Sequence, residues 1–366
     1  MEAGGGLSAR VAWFEPWVRG STSARCAGLL WLLLSAGCVH VPPATVVRDR
    51  FDYGQSVAES WKRQMLLNVV RIRYADAPIF IDVTSVINSY TLTGSANASA
   101  NLSTENSNQV TVGANGLFSN TPTVTYQPLT GDRFMKSILR PIPPSSIFEM
   151  LQAGWPGDLV LRSAVRSING LQNQRSGRPA DPQFDQLVTL VTRIQQSSGL
   201  NIRVEEQKGG EAVIFALPRQ NLSPSVAADA SEVRRLLGVD DNAAEFTLTF
   251  GLTPRSSMEI AVLTRSMLDV MLEYGAGINL PASDKAEGRV LPFAGSSDPA
   301  SGLVHVAVGS AAPGDAYAAI PYRGRWFWID DRDLQSKMRF TFLMILSCLA
   351  ETGQAPLSPV ITVPSR

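Results

Sequence analysis

The side chains that could carry catalysis or hold a metal are few and widely spaced in this chain of 366 residues. Its two histidines, His40 and His305, leave a histidine-based metal site or a catalytic triad short of ligands or of a base. Asp330, Asp331 and Asp333 could bind a cation, but acids just before an apolar run are more typical of a helix start. The sequence has no nucleophile elbow, phosphate loop or dinucleotide fingerprint. We therefore expect a protein without enzymatic activity, metal or cofactor.

Trp326 and Trp328 form the candidate ligand surface. They flank Phe327 in a predicted strand, and because side chains alternate along a strand, both indoles share the face opposite Phe327. Such a pair could stack on the rings of a glycan or hold a peptide. Ordinary alternate burial within a strand is the simpler interpretation, and the sequence alone favours it.

Cys38 is the residue whose chemistry the sequence indicates most directly. It follows three small residues, an apolar run over 27–34 and a segment with three arginines. A basic segment, a short apolar core and small residues before a cleavage point are typical of a secretory signal peptide. The run is far shorter than the ~20 residues of a membrane-spanning helix. A transmembrane anchor and a signal cleaved without lipidation are the alternatives.

The string Leu34-Ser35-Ala36-Gly37-Cys38 resembles the lipobox of bacterial lipoproteins. The resemblance implies cleavage between Gly37 and Cys38 and a covalent lipid on Cys38, which becomes the first residue of the mature chain. Val39 stands where an aspartate would imply retention at the inner membrane. We therefore expect a lipid-anchored protein of the outer membrane that faces the periplasm.

Charge and cysteine content exclude several kinds of partner. Residues 38–366 carry 29 basic and 30 acidic side chains, a net charge of −1. This leaves no basic field for nucleic acid and no polybasic patch for anionic lipid. Besides Cys38, this segment contains only Cys348, so we expect no disulfide framework. The apolar run 340–350 around Cys348 predicts a buried thiol.

The segment from Val83 to Gly131 departs most from the rest of the chain. Its 49 residues contain one charge, Glu105, where the average of 17% for the chain predicts about eight. Apolar or small residues alternate with Ser, Thr and Asn on both sides of a polar turn at 104–108. Only a strand places residues i and i+2 on one face, so the pattern predicts a long antiparallel hairpin over about 88–126. Its candidate membrane or oligomer face comprises Tyr90, Leu92, Ala96, Ala98, Ala100, Val110, Val112 and Phe118.

Three interpretations of this hairpin stay open: a soluble ribbon packed on a sheet or another subunit, a membrane-inserted arm, and a flexible low-complexity loop. Arms of ten or more residues with almost no charge could cross a bilayer, where a tilted strand needs ~9–11 residues. One hairpin cannot close a barrel, but a ring of protomers could. The curli exporter, a secretion lipoprotein, is built in this way, and the likeness to it is architectural only. The small side chains of Ala96, Ala98 and Ala100 favour the soluble ribbon.

Periodicity places the other elements in an α+β arrangement of mixed layers. Helical spacing predicts helices over 57–74, 146–153, 158–169, 182–198, 229–237, 256–274 and 332–350. Alternation predicts strands over 79–87, 201–206, 212–217 and 245–250, with short strands near 288–293, 302–308, 316–321, 325–329 and 359–363. Ser56 with Glu59, and Ser256 with Glu259, match the capping box of a helix start. The last helix is expected to begin at Asp330 or Asp331.

Composition divides the chain into six segments. They are a signal peptide (1–37), an extended lipid-anchored tether (38–50), a domain of a helix and the long hairpin (51–170), a polar linker (171–183), a smaller α+β domain (184–280) and a C-terminal segment (281–366). The C-terminal segment contains β-hairpins and a buried helix. The expected core face of that helix comprises Leu334, Met338, Phe342, Ile345 and Leu349.

The stretches Trp61–Val83, Ala153–Gly170 and Tyr322–Phe342 resemble a family of lipoproteins of Gram-negative bacteria. The resemblance covers most of the mature chain and implies its localisation, but it supplies no functional residues. We expect a non-enzymatic component of an outer-membrane assembly or export complex, in its sharpest form a homo-oligomer with a β-hairpin pore. The alternative is a periplasm-facing protein that binds glycan or peptide. The expected partners are membrane lipid through Cys38 and further copies or envelope proteins, without nucleic acid.

Overall fold

The computed structural model describes residues 43–87, 90–101, 109–175, 178–197, 199–207, 210–217, 223–293 and 302–351. The predictions at Gly37, Cys38 and strand 359–363 lie outside these ranges. Helices and strands are mixed in an α+β fold, which confirms the predicted fold class. Within the described ranges, no helix has the length and apolar character that a membrane crossing requires.

The helix α1 (Pro43–Arg73) begins earlier than predicted. The extended tether expected over 38–50 is wrong for residues 43–50, because a proline is tolerated in the first turn of a helix. Ser56 therefore lies inside α1, where its Oγ donates to the carbonyl of Asp52 at 2.8 Å and caps nothing. The C-terminal half of α1 carries the core face, which comprises Met65, Leu66, Val69, Val70 and Ile72.

Two consecutive antiparallel ladders follow α1. Their strands are β1 (Ile81–Ile87), β2 (Tyr90–Asn101), β3 (Gln109–Asn120) and β4 (Thr123–Pro128). Strand β2 pairs with β3, which confirms the antiparallel pairing of the predicted hairpin, and β1 pairs with β4, which extends the ladder beyond it. The register sets the predicted apolar positions opposite one another: Leu92 and Phe118, Ala96 and Ala114, Ala98 and Val112, Ala100 and Val110. In the described part of the chain neither ladder has a third strand.

A six-stranded sheet forms the largest layer. In spatial order its strands are β6 (Leu171–Gln172), β5 (Val165–Ile168), β10 (Glu259–Thr264), β9 (Glu245–Phe250), β8 (Gly210–Ala216) and β7 (Asn201–Gln207). Neighbouring strands are antiparallel except β9 and β10, which are parallel. The pair β7–β8 and strand β9 confirm their predictions. Strand β5 replaces the end of the predicted helix 158–169, and β6 lies in the predicted linker.

Helices pack against this sheet and against one another. They are α2 (Gly131–Phe134), which continues into a π-helical turn over Met135–Leu139, α3 (Pro144–Gln152), α4 (Gly157–Ala164), α5 (Pro182–Gln196), α6 (Pro224–Leu237) and α7 (Met267–Gly275). The hydroxyl of Ser223 caps α6 by accepting from the Val226 amide, earlier than the predicted start at 229. Gly238 ends α6 in the left-handed region at φ 64°, as the sequence predicts.

The predicted helix 256–274 is wrong over its first half, where strand β10 lies instead. The segment EIAVLT is buried on both faces of the sheet, as its run of apolar and β-branched residues requires. Ser256 and Glu259 do not form a capping box, because their side chains accept backbone N–H groups of a tight turn. A true capping box of Ser266 and Asp269 follows β10 and opens α7.

The C-terminal part of the described chain contains a second sheet. The strands of this sheet are β11 (Ala307–Gly309), β12 (Ala318–Tyr322) and β13 (Arg325–Ile329), with β13 between the other two. Helix α8 (Ala282–Ala286) precedes the sheet in the chain, and helix α9 (Leu334–Glu351) follows it. Arg323 and Gly324 form the predicted turn with φ of 47° and 75°. Positive φ at both central residues is typical of the type I′ hairpin turn. The strand predicted over 288–293 does not form.

Helix α9 buries a different face from the predicted one. Phe342 is fully buried as expected, but Leu334 and Met338 are 65% and 48% exposed. Cys348 is exposed, so the prediction of a buried thiol is wrong. The apolar run 340–350 extends around the whole helix, whereas the protein core covers one side of it. The buried side comprises Phe340, Phe342, Leu343 and Leu346.

The start of α9 also differs from the prediction. The carboxylate of Asp333 accepts from the Ser336 amide at 3.0 Å and from the Ser336 hydroxyl at 2.6 Å, which is the capping arrangement. Asp330 and Asp331 lie in the turn before it. Buried side chains from Met65 to Leu346 form one continuous hydrophobic core, which runs through the predicted segments 51–170, 184–280 and 281–366.

Tyr274 connects three helices inside this core, and it should make the protein sensitive to alkali. Its hydroxyl donates to the Arg339 carbonyl at 3.0 Å and lies 3.2 Å from Ser163 Oγ. Burial raises the pKa of Tyr274 to about 12, whereas an unfolded tyrosine ionises near pH 10. The unfolded chain therefore loses this proton first, and stability present below about pH 10 is lost as pH rises toward the folded pKa.

We predict that Tyr274 contributes a fall of about 1.4 kcal/mol per pH unit in the free energy of unfolding between about pH 10 and 12. Denaturant titrations at several pH values measure this slope. Tyr274→Phe should lower stability by about 1 kcal/mol at pH 8 and flatten the alkaline slope. Tyr126→Phe, at a position 64% exposed, is the control and should leave the slope unchanged. Equal slopes in wild type and Tyr274→Phe would contradict the prediction.

Candidate functional site

The outward face of β13, which we call the tryptophan face, displays Trp326 and Trp328. Phe327 between them points to the opposite side and is fully buried in the core, so the predicted sharing of one face is confirmed. Both tryptophans are partly exposed. The residues that pair with them across β11 and β12 are Gly309 and Pro321 beside Trp326, and Ala307 and Ala319 beside Trp328. None of these four neighbours has a long side chain, which leaves part of each indole accessible to solvent.

Gly309 lies close to the Trp328 indole. A Cβ atom at this position would lie 3.0 Å from Cη2 and 3.2 Å from Cζ3 of Trp328. Because position 309 has no side chain, the Trp328 indole can lie over Gly309, the residue of β11 that pairs with Trp326. A residue with a side chain here would have to displace the ring.

A cavity of about 340 Å³ adjoins the tryptophan face on the side of Trp326. This volume lies within the range of small-molecule sites in proteins. Its walls come from α1, from the loop before β12, and from β12 and β13. The lining residues are Glu59, Arg63, Ala311, Ala312, Pro313, Gly314, Ala316, Tyr317, Ala318, Ala319 and Trp326.

Charged side chains of α1 and α9 surround Tyr317 at this cavity. The ammonium group of Lys62 lies 4.4 Å from the centre of the Tyr317 ring, and that of Lys337 lies 5.4 Å from it. Two cations over one ring stabilise its position through cation–π attraction. The Tyr317 hydroxyl lies 2.9 Å from Thr341 Oγ1, which connects the same ring to α9. Lys62 in turn donates to Glu59 at 2.6 Å.

The end of α1 is fastened to the β12–β13 turn by four residues that we call the turn clasp: Tyr74, Asp76, Tyr322 and Arg323. The carboxylate of Asp76 accepts from the Tyr322 hydroxyl and, at 2.9 Å, from the Arg323 guanidinium. The rings of Tyr74 and Tyr322 meet edge to face with centroids 5.5 Å apart. Arg323 lies over the Tyr74 ring at 5.1 Å. The clasp thereby holds the cavity wall on α1 against the wall on the second sheet.

Tyr74 extends this network into the interior. Its hydroxyl donates to Asp284 on α8 at 2.6 Å. Burial and, after it, this hydrogen bond raise the pKa of Tyr74 far above the ordinary value. The phenol therefore stays protonated and keeps its role as a donor to the carboxylate. Tyr74 also packs against Phe327, with ring centroids 6.1 Å apart, so the clasp reaches the buried side of the tryptophan strand.

The three acidic residues before α9, which were candidates for a cation site, bind groups of the protein itself. Asp331 pairs with Lys337 at 2.6 Å, and Asp330 accepts from the Arg332 amide at 2.8 Å. Together with the capping role of Asp333, this accounts for the acidic cluster without a cation. Among the described residues, no group of three or more His, Cys, Asp and Glu side chains could hold a metal.

The hairpin candidates lie on β2 and β3, and the lipidation candidates lie outside the described residues. Glu59 and Arg63 were not predicted as site residues, because Glu59 matched a capping box and Arg63 carried no motif. Their spacing of i and i+4 on one helix does place them on a common face, which was the available signal. Comparison with family models, with curated proteins and with solved structures finds no match to this chain.

We predict that Asp76→Ala lowers the free energy of unfolding by about 1–2 kcal/mol, because it removes the acceptor shared by Tyr322 and Arg323. The ion pair is partly exposed, with side chains 34% and 43% accessible, so solvent screening keeps the loss modest. Chemical denaturation followed by far-UV circular dichroism measures it. The matched control is Asp315→Ala, whose partner Arg332 is 83% exposed; the expected loss there is below about 0.5 kcal/mol. Similar losses in both variants would contradict a special role of the turn clasp.

Proposed function

We propose that this protein is a non-enzymatic, lipid-anchored protein of the bacterial outer membrane that binds a glycan in the periplasm. The observation that carries the proposal is the tryptophan face, whose paired neighbours on β11 and β12 are short and whose Trp326 lines a cavity of about 340 Å³. Flat, apolar indole faces with polar edges suit the apolar faces of sugar rings, whose hydroxyl groups then point to polar partners.

The composition of the cavity supports a ligand with both polar and apolar parts. Trp326 and Tyr317 provide aromatic surface, and Glu59 and Arg63 provide charged groups on the opposing helix. The lining residues of the loop before β12 are Ala311, Ala312, Pro313, Gly314 and Ala316, whose short side chains leave room for a ligand. A few polar groups around an aromatic wall are typical of sites that orient a small ligand.

The proposed location rests on the N-terminal sequence. The basic segment, the apolar run and the lipobox-like string before Cys38 support export and lipidation. The net charge of −1 for residues 38–366 gives no support for nucleic acid as a partner. A lipid on Cys38 would keep the protein close to the envelope glycan.

The proposal predicts that Trp326→Ala weakens the retention of the detergent-solubilised protein on insoluble cell-wall glycan. Loss of one stacked aromatic should reduce affinity by about tenfold, in line with the weight of aromatic anchors in binding sites. Cosedimentation over a range of glycan concentrations measures the affinity, and Trp328→Ala should show a loss in the same direction.

Phe250→Ala is the control, because Phe250 is an aromatic residue 58% exposed at the end of β9. Retention of this variant should equal that of wild type. Circular dichroism spectra must be the same for all variants. If Trp326→Ala and wild type are retained equally, the tryptophan face is not the glycan site.

A second candidate function is supported by the long hairpin. Its twelve paired positions between β2 and β3 continue into the β1–β4 ladder, and neither ladder has a third strand in the described part of the chain. Open strand edges are templates for pairing with another chain. A homo-oligomer in which each copy contributes this hairpin to an assembly, an export complex or a pore is therefore our second proposal.

The oligomer proposal predicts a large, uniform particle when the full-length protein is solubilised in detergent. Ala98→Arg, at the position paired with Val112, should break up the particle or abolish its conductance in planar bilayers, because it adds a charge to an uncharged ribbon. Light scattering and single-channel recording are the measurements. Deletion of residues 92–118 should give the same result. A monomer that behaves normally after this deletion would contradict the proposal.

A further inference from the structure

The guanidinium of Arg63 lies on the wall of the cavity and has no charged partner among the described residues. Arg63 lines the cavity and is exposed to solvent. Within the described ranges it has neither an ion pair nor a hydrogen bond to its side chain. An arginine that faces a cavity and has no partner keeps its five N–H donors available to a ligand.

The acidic groups around the cavity are already paired with other cations. Glu59 is bridged to Lys62 at 2.6 Å, and Asp331 is bridged to Lys337 at 2.6 Å. Both lysines also lie over the Tyr317 ring, which fixes their position. Among the described residues that line the cavity, Arg63 is therefore the cation without an acidic partner.

We propose that this cavity recognises a sugar that carries a carboxylate, with Arg63 binding the carboxylate while Trp326 supports the ring. This inference rests on the proposed glycan-binding function and specifies the class of glycan. A guanidinium pairs with a carboxylate through two parallel hydrogen bonds, which gives orientation as well as charge recognition. A phosphate group carries about −1.5 to −2 charge at neutral pH and is usually met by several arginines. A single guanidinium, which is what the described lining residues offer, matches a carboxylate better.

One ligand could contact Arg63 with its carboxylate and Trp326 with its sugar ring at the same time. Arg63 and Trp326 line the same cavity of about 340 Å³, one from the helix and one from β13. A sugar acid carries its carboxylate on the ring itself, so the charge and the stacking face lie within one residue of the glycan. A neutral sugar of the same size would use the tryptophan face and leave Arg63 without a partner.

The test compares an acidic and a neutral oligosaccharide of equal length on the full-length protein in detergent. Tetragalacturonate and cellotetraose are suitable probes, and isothermal titration calorimetry with tryptophan fluorescence measures their affinities. Wild type should bind tetragalacturonate at least about tenfold more tightly, since a hydrogen bond to a charged group contributes about 1.5–3 kcal/mol. The advantage should shrink as salt is raised, because the pair is solvent-exposed.

Arg63→Gln should remove the preference by weakening the acidic probe at least about tenfold while leaving cellotetraose unchanged. Arg255→Gln, at an exposed arginine outside the cavity lining, is the matched control and should retain the preference. Trp326→Ala should weaken both probes. An unchanged preference in Arg63→Gln, with both probes still dependent on Trp326, would overturn this inference and leave the glycan-binding function standing.

Two other outcomes would contradict the glycan-binding function as well as this inference. If neither oligosaccharide binds wild type, the glycan-binding function fails and this inference with it. If an acetylated peptide with a free C-terminal carboxylate binds through Arg63 while neither sugar binds, the ligand is a peptide and the assignment to a glycan is wrong. Because glutamine keeps the polarity and helix propensity of position 63, a folding defect is not expected to obscure these results.

Discussion

The contact between the end of α1 and the β12–β13 turn determines the geometry of the candidate site. Helix α1 provides one wall of the cavity through Glu59 and Arg63, and the second sheet provides the other through Trp326 and Tyr317. A helix is stiff along its axis, and the ten helical steps from Arg63 to Arg73, the last residue of α1, span about 15 Å. Fixing α1 at Tyr74 and Asp76 therefore fixes the position of its charged side chains relative to the tryptophans.

The contact includes a buried carboxylate, which must be paired or hydrogen-bonded. Asp284 is 9% exposed and accepts from the Tyr74 hydroxyl, and a buried carboxylate is tolerated only when it is paired or hydrogen-bonded. Arg325 lies 3.9 Å from the same carboxylate, on the strand that carries Trp326. Charge compensation, ring packing and the turn therefore favour one arrangement of α1, α8 and β13. Small residues complete the site from the other side, because Gly309, Ala307 and Ala319 leave part of each indole exposed.

The sequence predicted those elements that depend on residues close together in the chain. The alternation of the long hairpin, the positive-φ turn at Arg323–Gly324 and the common face of Trp326 and Trp328 are all readable from neighbouring residues. Strand β10 was missed because its apolar run fits a helix as well as a buried strand, and its place between β5 and β9 depends on tertiary pairing. Likewise, the apolar run of α9 does not say which side the core will cover. The wall formed by Arg63 was beyond prediction, since about 260 residues separate it from Trp326.

The turn clasp also has a consequence for the order of folding. Asp76 and Arg323 are 247 positions apart along the chain, so their contact closes one of the longest loops in the protein. Contacts of such sequence separation cost the most loop entropy and form late unless other structure has already brought the ends together. A chain emerging from the ribosome or from an export channel therefore has no cavity until its last quarter is released. A ligand of this cavity could therefore be bound only by the completed molecule, and a C-terminally truncated chain would lack the cavity however well its six-stranded sheet had formed.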